Sequence, residues 1–120
     1  MRKCLLILGV ILTAPVMGQE LTREQEIIAM TILGEARGEG EAGMYAVGCL
    51  LKQRKQNSSG KLSYSQICLK KWQFSCWNPN DPNRSQLKKL LANSSAAKYA
   101  KRVALNMDKL ELSFIANADH

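Results

Sequence analysis

Residues 22–40 read TREQEIIAMTILGEARGEG, and this stretch decides the fold. Apolar residues recur through it with the period of a helix, and Thr22 followed three residues later by Gln25 is the pattern of a capping box. Glycines around its last turn permit a sharp change in backbone direction. We therefore predict a helix from Arg23 to Ala36, capped at its start and followed by a turn.

Glu35 is the candidate functional residue of this helix. It lies three residues after Ile32 and seven after Ile28, so its carboxyl group projects from the same side as these two apolar side chains. Burial disfavours the charged form of a carboxyl group, and the protonated form is the one that a general acid needs. The alternative is that Glu35 lies in the glycine-flanked turn at the helix end and faces water.

The 120-residue chain has the length of one small domain and a formal net charge of +7. Residues 1–18 read as a secretory signal, with a basic start, an apolar stretch from Cys4 to Leu12, and small residues before Gln19. The apolar stretch is short for a membrane span, although an uncleaved anchor is the alternative. We predict a signal segment at 1–18 and one domain at 19–120, secreted, periplasmic or held in the cell envelope.

The basic residues of the domain are spread along the chain instead of forming one tract. A basic exported protein commonly acts near an anionic polymer or surface. No motif of a nucleic-acid-binding fold is present, so nucleic acid is not an expected partner. We expect a monomer that is not stably inserted in the membrane once its signal is cleaved.

Three cysteines follow the signal, an odd number for an oxidising compartment. Cys68 and Cys76 are close enough in sequence to close a small loop and are the disulfide candidates. Cys49 lies in a helical pattern and is predicted to be a buried thiol. A zinc site of three cysteines and His120 does not have the spacing of CxxC-type pairs, so no metal and no cofactor is expected.

The rest of the chain is predicted to be mainly α-helical, with at most a minor β element, because strand patterns are scarce. Polar turns with glycine, asparagine and proline separate the helical stretches. The predicted elements are a helix at 41–55, a short helical turn at 64–69, an irregular aromatic stretch at 72–79, a loop at 80–83, and helices at 87–91 and 96–107.

Three blocks of the sequence carry a family resemblance. In the first, residues 34–39 read GEARGE, residues 46–48 read AVG, and a helix ends at the QR of 53–54. The second block is QFSCWN at 73–78, and the third is NADH at 117–120. Together they resemble the SleB-type cell wall hydrolases, the family of the spore cortex-lytic enzyme, and span nearly the whole predicted domain.

The resemblance implies a compact helical fold related to lysozymes and lytic transglycosylases, and an activity on the glycan strands of peptidoglycan. It places Glu35 at the catalytic acid of the family, and Arg37 and Glu39 in the rest of the motif, where a structural ion pair, a site-shaping role and a chemical role are alternatives. The aromatic block corresponds to the wall of the substrate groove. The substrate-binding candidates are therefore Arg37, Glu39, Trp72, Gln73, Phe74, Ser75, Trp77 and Asn78.

We predict a lytic transglycosylase with a single acid/base. Cleavage of a glycosidic bond needs a proton for the leaving oxygen and stabilisation of an oxocarbenium-like sugar. Two-carboxylate hydrolases use a second acid, for which Glu39, Glu41 and Asp119 are candidates that the sequence does not place. A lytic transglycosylase needs only Glu35, because the 6-hydroxyl of the sugar attacks the anomeric carbon and leaves a 1,6-anhydro product.

Several alternatives stay open. Trp72 and Phe74 fit a core as well as a sugar-binding groove, because aromatic side chains dominate core burial. A non-catalytic peptidoglycan-binding module is an alternative function. So is an inactive, C-terminally truncated copy, because family members usually continue beyond the segment at which this chain ends, at His120. A zinc-dependent amidase is disfavoured by the single histidine.

Overall fold

The computed structural model describes residues 12–13 and 20–114. The third family block at 117–120 lies outside these residues, as does all of the predicted signal segment except 12–13. The described residues are mainly α-helical and form one compact body, which confirms the predicted fold class, and they contain no strand. None of their helices is long and apolar enough to cross a membrane.

Five α-helices follow one another in the described part of the chain. Short 3-10 turns precede or follow several of them and carry the changes in direction. The helices are α1 at Arg23–Ala36, α2 at Gly40–Asn57, α3 at Tyr64–Leu69, α4 at Leu87–Asn93 and α5 at Ala97–Leu105, and the 3-10 turns are Arg37–Glu39, Ser75–Trp77, Arg84–Gln86 and Met107–Lys109.

The central helix is α1, which contacts all four other helices. Its predicted cap is formed: Oγ1 of Thr22 accepts from the N–H of Gln25 at 3.1 Å, and the Gln25 side chain accepts from the N–H of Thr22 at 2.9 Å. Residues 27–33 are all buried. Seven consecutive residues cover the whole circumference of a helix, so α1 is a core helix and not an amphipathic surface helix.

The end of the described chain is held against α2. A Cβ at Gly48 would lie 2.7 Å from Cγ1 of Val103, so a glycine is needed for α5 to pack this closely on α2. The Tyr45 hydroxyl accepts from the N–H of Glu111 at 2.7 Å, and its ring meets Phe114 edge-on with 5.2 Å between centroids. These contacts fix residues 111–114 against α2.

Thr13 belongs to the predicted signal segment and is bound to the folded body. Its N–H donates to Oδ1 of Asn106 at 3.1 Å, and its carbonyl accepts from Nδ2 of the same amide at 2.9 Å. Leu12 packs against the core. The buried amide of Asn106 therefore satisfies both backbone groups of Thr13, and removal of the segment as a signal stays a prediction.

Candidate active site

Glu35 lies in the last turn of α1 and is half-buried. Its Oε2 accepts a hydrogen bond from the backbone N–H of Cys76 at 3.2 Å. Cys76 belongs to the 3-10 turn Ser75–Trp77, 41 residues further along the chain. The structure thus brings the predicted catalytic acid together with the aromatic block, and it holds this carboxyl group between the core and the solvent.

The aromatic block reaches α1 because residue 34 is a glycine. A Cβ at Gly34 would lie 2.6 Å from Cβ and 2.7 Å from Sγ of Cys76, closer than real side chains approach. The buried side chain of Cys76 therefore packs directly against the backbone of α1, one residue before Glu35. Gly34 therefore serves the packing of the site, whereas the glycine with a left-handed φ in the turn that follows is Gly40.

Trp77 is tied to the same helix by its indole. Its Nε1–H donates to Oγ1 of Thr31 at 2.9 Å, and its carbonyl accepts from Nη1 of Arg84 at 2.7 Å. Thr31 is fully buried and lies one helical turn before Glu35. Trp77 itself is half-buried, so part of its surface stays accessible while its orientation is set by Thr31.

Arg37 binds a backbone carbonyl and a loop. Its Nη1 donates to the carbonyl of Leu33 at 3.1 Å, and its Nη2 donates to Oδ1 of Asn83 at 3.0 Å. Glu39 is exposed, and no salt bridge joins these two described residues. The structural ion pair suggested for Arg37 and Glu39 is therefore not formed, and Arg37 instead connects the end of α1 to the loop around Asn83.

Asp81 is a second carboxylate near the site, and the sequence analysis did not single it out. Its Oδ1 accepts from the N–H of Asn83 at 2.8 Å, in the loop that Arg37 binds. Burial raises the pKa of the Cys76 thiol well above its ordinary value. The charge of Glu35 and a hydrogen bond between the thiol and the Glu35 side chain raise this pKa further, and so does the charge of Asp81. Asp81 lies in a polar loop, and no sequence pattern distinguishes it there.

All three cysteines in the described part of the chain are buried free thiols. The disulfide suggested for Cys68 and Cys76 is therefore not formed in this structure, whereas the buried thiol predicted at Cys49 is present. Burial raises the pKa of Cys49 and of Cys68 to about 11. These thiols stay protonated at neutral pH and pack as small apolar side chains.

The predicted substrate-binding block is divided by burial. Phe74 has 5% of its surface exposed and lies under the guanidinium of Arg54 at 5.0 Å, so this ring belongs to the core and does not line a sugar-binding groove. Trp72 is 67% exposed, so the core interpretation fails for it. Among the remaining candidates, Gln73 and Ser75 are exposed and Asn78 is half-buried.

Trp72 adopts a backbone conformation that bulky residues rarely take, with a φ of 68°. Such left-handed conformations cost about 1–3 kcal/mol each. The ammonium group of Lys71 lies 5.4 Å from the centroid of the indole. Because the ring is mostly exposed, core packing offsets little of this strain, and the backbone holds the tryptophan out at the surface.

The site around Glu35 is separate from a cavity of about 450 Å³ near the start of α1. That cavity is lined by the first turns of α1 together with Lys88 of α4 and Lys101 of α5, and Glu35 is not among its lining residues. The accessible part of Glu35 thus lies at the opposite end of α1.

Comparisons with known proteins do not test the family resemblance. Membership of the SleB-type hydrolases therefore stays a prediction from the three sequence blocks. No family model, no curated protein and no solved structure matches this chain.

Proposed function

We propose that this protein is a peptidoglycan lytic transglycosylase of the cell envelope, with Glu35 as its acid and base. The observation that carries the proposal is the hydrogen bond from the backbone N–H of Cys76 to Oε2 of Glu35. It joins a half-buried carboxyl group at the end of the central helix to a segment with accessible polar and aromatic side chains. Proton transfer to a bound sugar needs a carboxyl group that is both positioned and reachable.

The reaction has two steps at the bond between muramic acid and glucosamine. In the first, protonated Glu35 donates its proton to the glycosidic oxygen while the bond from that oxygen to the anomeric carbon breaks. In the second, the Glu35 carboxylate takes the proton of the 6-hydroxyl of the same muramic acid while that oxygen attacks the anomeric carbon. The products are a 1,6-anhydro end and a free hydroxyl on glucosamine, and no water is consumed.

The chain stabilises the intermediate stage through the backbone. After the first step Glu35 is ionised, and the N–H of Cys76 donates to one of its oxygens. A donor aimed at a developing negative charge favours the charged form, which lowers the barrier of the first step. Because Cys76 is held in the core beside Gly34, this donor does not have to reorganise during the reaction.

The accessible side chains within residues 73–78 are assigned to substrate binding, and Trp72 is not among them. Gln73 and Ser75 are exposed and Asn78 is half-buried, and their amides and hydroxyl suit the N-acetyl groups of the glycan. Trp77 presents a half-buried ring whose orientation is set by Thr31, as stacking on a sugar face requires.

A second candidate function is glycoside hydrolysis with two carboxylates. It is favoured by Asp81, whose Oδ1 accepts from the N–H of Asn83 in the loop that Arg37 connects to the end of α1. In that scheme Asp81 activates a water molecule or attacks the anomeric carbon while Glu35 protonates the leaving oxygen. The product then carries a reducing end in place of an anhydro end.

The experiment compares wild-type protein with Glu35→Gln on purified peptidoglycan sacculi. The amide keeps the shape and still accepts from the N–H of Cys76, but it has no proton to donate, so the clearing rate should fall about 10²–10⁴-fold. Glu26→Gln is the matched control, because Glu26 is also half-buried on α1 but lies in its first turn. Mass spectrometry of the released fragments identifies the new ends.

Each outcome separates the candidate functions. Equal clearing by wild type and Glu35→Gln contradicts catalysis by this acid. Wild-type protein that binds sacculi without cleaving them indicates a non-catalytic module. Reducing ends that disappear in Asp81→Asn indicate the hydrolase, whereas anhydro ends that persist in Asp81→Asn support the transglycosylase.

A further inference from the structure

A second surface, which the proposed function does not use, lies around α3, from the residues just before this helix to those just after it. All the large apolar side chains that are exposed in the described part of the chain lie within residues 62–72, and these are Leu62, Leu69 and Trp72. Lys70 and Lys71 are exposed between them. These five residues form the apolar–basic patch.

Three residues of the patch line one cavity, and the other two follow them directly in the chain. Leu62, Leu69 and Lys70 line one shallow cavity of about 490 Å³ along α3. Trp72 follows in a turn that is closed by a hydrogen bond from the N–H of Gln73 to the carbonyl of Lys70 at 3.1 Å. Exposed apolar residues that are grouped in this way mark interaction surfaces, whereas single exposed ones do not.

The backbone itself holds Trp72 in the patch. Its left-handed φ of 68° is unfavourable for a bulky residue, and its indole remains mostly exposed. Lys71 keeps its ammonium group 5.4 Å from the indole centroid, so that a positive charge accompanies the ring. Backbone strain that is not offset by side-chain packing is typical of residues at functional sites.

Every charged residue in the stretch of sequence around the patch, residues 42–80, is basic. All ten acidic residues of the chain lie outside residues 42–80. Glu24 reaches α3 from outside this stretch, but its carboxylate binds the N–H of Tyr64, at the opposite end of the helix from Lys70 and Lys71. The basic residues within 42–80 are Lys52, Arg54, Lys55, Lys61, Lys70 and Lys71.

We propose that the apolar–basic patch docks the protein onto the surface of an anionic lipid bilayer. Tryptophan and leucine side chains enter the boundary between headgroups and acyl chains, and lysines beside them contact anionic headgroups. A glycan strand offers no apolar layer for the leucines to enter. An acidic protein surface would pair with the lysines, and the experiment below distinguishes it from a bilayer.

The experiment measures binding of the full chain to phosphatidylcholine vesicles with and without phosphatidylglycerol. Binding should require the anionic lipid and weaken as salt is added. Each lysine near such a surface contributes about a fivefold factor, so a double Lys70→Gln, Lys71→Gln variant should bind about thirtyfold more weakly. Lys88→Gln with Lys89→Gln is the matched control, an exposed lysine pair on α4 that should change binding little.

The chain has two tryptophans, so a Trp77→Phe background leaves Trp72 as the single indole reporter. Its emission should shift to shorter wavelength on anionic vesicles as the indole leaves water. All variants carry the same N-terminal segment, so differences between them report on the patch. Equal binding by the two lysine-pair variants, or sedimentation with vesicles without a shift in Trp72 emission, overturns the proposal. Preference for polyglutamate over vesicles overturns it in favour of an acidic protein partner.

Discussion

Two parts of the connection between α3 and α4 differ in how they are held. Residues 74–78 are bound to α1, by the N–H of Cys76 on Glu35 and by the indole of Trp77 on Thr31. Residues 69–72 stand out at the surface, and the indole of Trp72 is contacted by the ammonium group of the preceding lysine. Two tryptophans five residues apart therefore have opposite environments.

The difference is explained by one face of α1. Thr31, Gly34 and Glu35 lie at spacings of three and four, so they form a strip that offers a hydroxyl acceptor, a gap and a carboxylate. Cys76 and Trp77 supply the matching side chain and donors. Residues bound to this strip acquire the defined positions that the proposed catalysis needs, whereas the residues before them stay exposed, as the proposed docking surface needs.

Among substitutions that affect residues 74–78 or 69–72, Gly34→Ala is expected to cause the largest loss of stability. The new Cβ would lie 2.6 Å from Cβ and 2.7 Å from Sγ of Cys76, so the aromatic block must move away from α1. Overpacking of this kind costs about 1–3 kcal/mol of unfolding free energy, and it also displaces the donor to Glu35. Urea unfolding and the sacculus assay measure the two losses.

Gly38→Ala is the matched control for this variant. No atom lies within 4 Å of a Cβ built at Gly38, and alanine restricts the unfolded chain, so unfolding free energy should stay the same or rise slightly. If Gly34→Ala and Gly38→Ala unfold at the same urea concentration, the close packing of Cys76 on α1 is wrong.

A smaller loss is expected from Thr31→Val, which keeps the shape of a buried side chain and removes the acceptor of Trp77. The indole N–H then lacks its partner, at a cost of about 1–2 kcal/mol. The emission of Trp77 should change while that of the exposed Trp72 does not. In a Trp77→Phe background the same substitution should cost less, and strict additivity of the two would contradict the hydrogen bond.

Local sequence patterns predicted most of the fold. The capping box and helical period place α1 at Arg23–Ala36, as the structure has it, and the short helical turn predicted at 64–69 is α3. The helix predicted at 41–55 extends to Gly40–Asn57, and the one predicted at 96–107 is the shorter α5, after which a 3-10 turn begins at Met107. Caps and periods act over a few residues, so the sequence alone reveals them.

The division of the aromatic block depends on contacts between distant parts of the chain, and the sequence did not predict it. Phe74 is buried because Arg54 covers it, and Trp77 is oriented because Thr31 meets its indole. Composition gives every aromatic residue a similar expectation of burial. Glu35 was identified because a carboxylate on an apolar side is unusual, whereas Asp81 lies in a loop where acidic residues are common.

The smallest change in stability is expected from Trp72→Asn, in the exposed residues 69–72. Asparagine tolerates the left-handed conformation better than tryptophan does, so unfolding free energy should rise by about 0.5–1 kcal/mol and the midpoint of thermal unfolding by a few degrees. Trp72→Phe is the control, because a bulky ring at the same φ of 68° gains no relief. A less stable Trp72→Asn would mean that the indole supports the fold after all. A more stable variant that has lost vesicle binding means that Trp72 is retained for the surface it reaches, at the expense of stability.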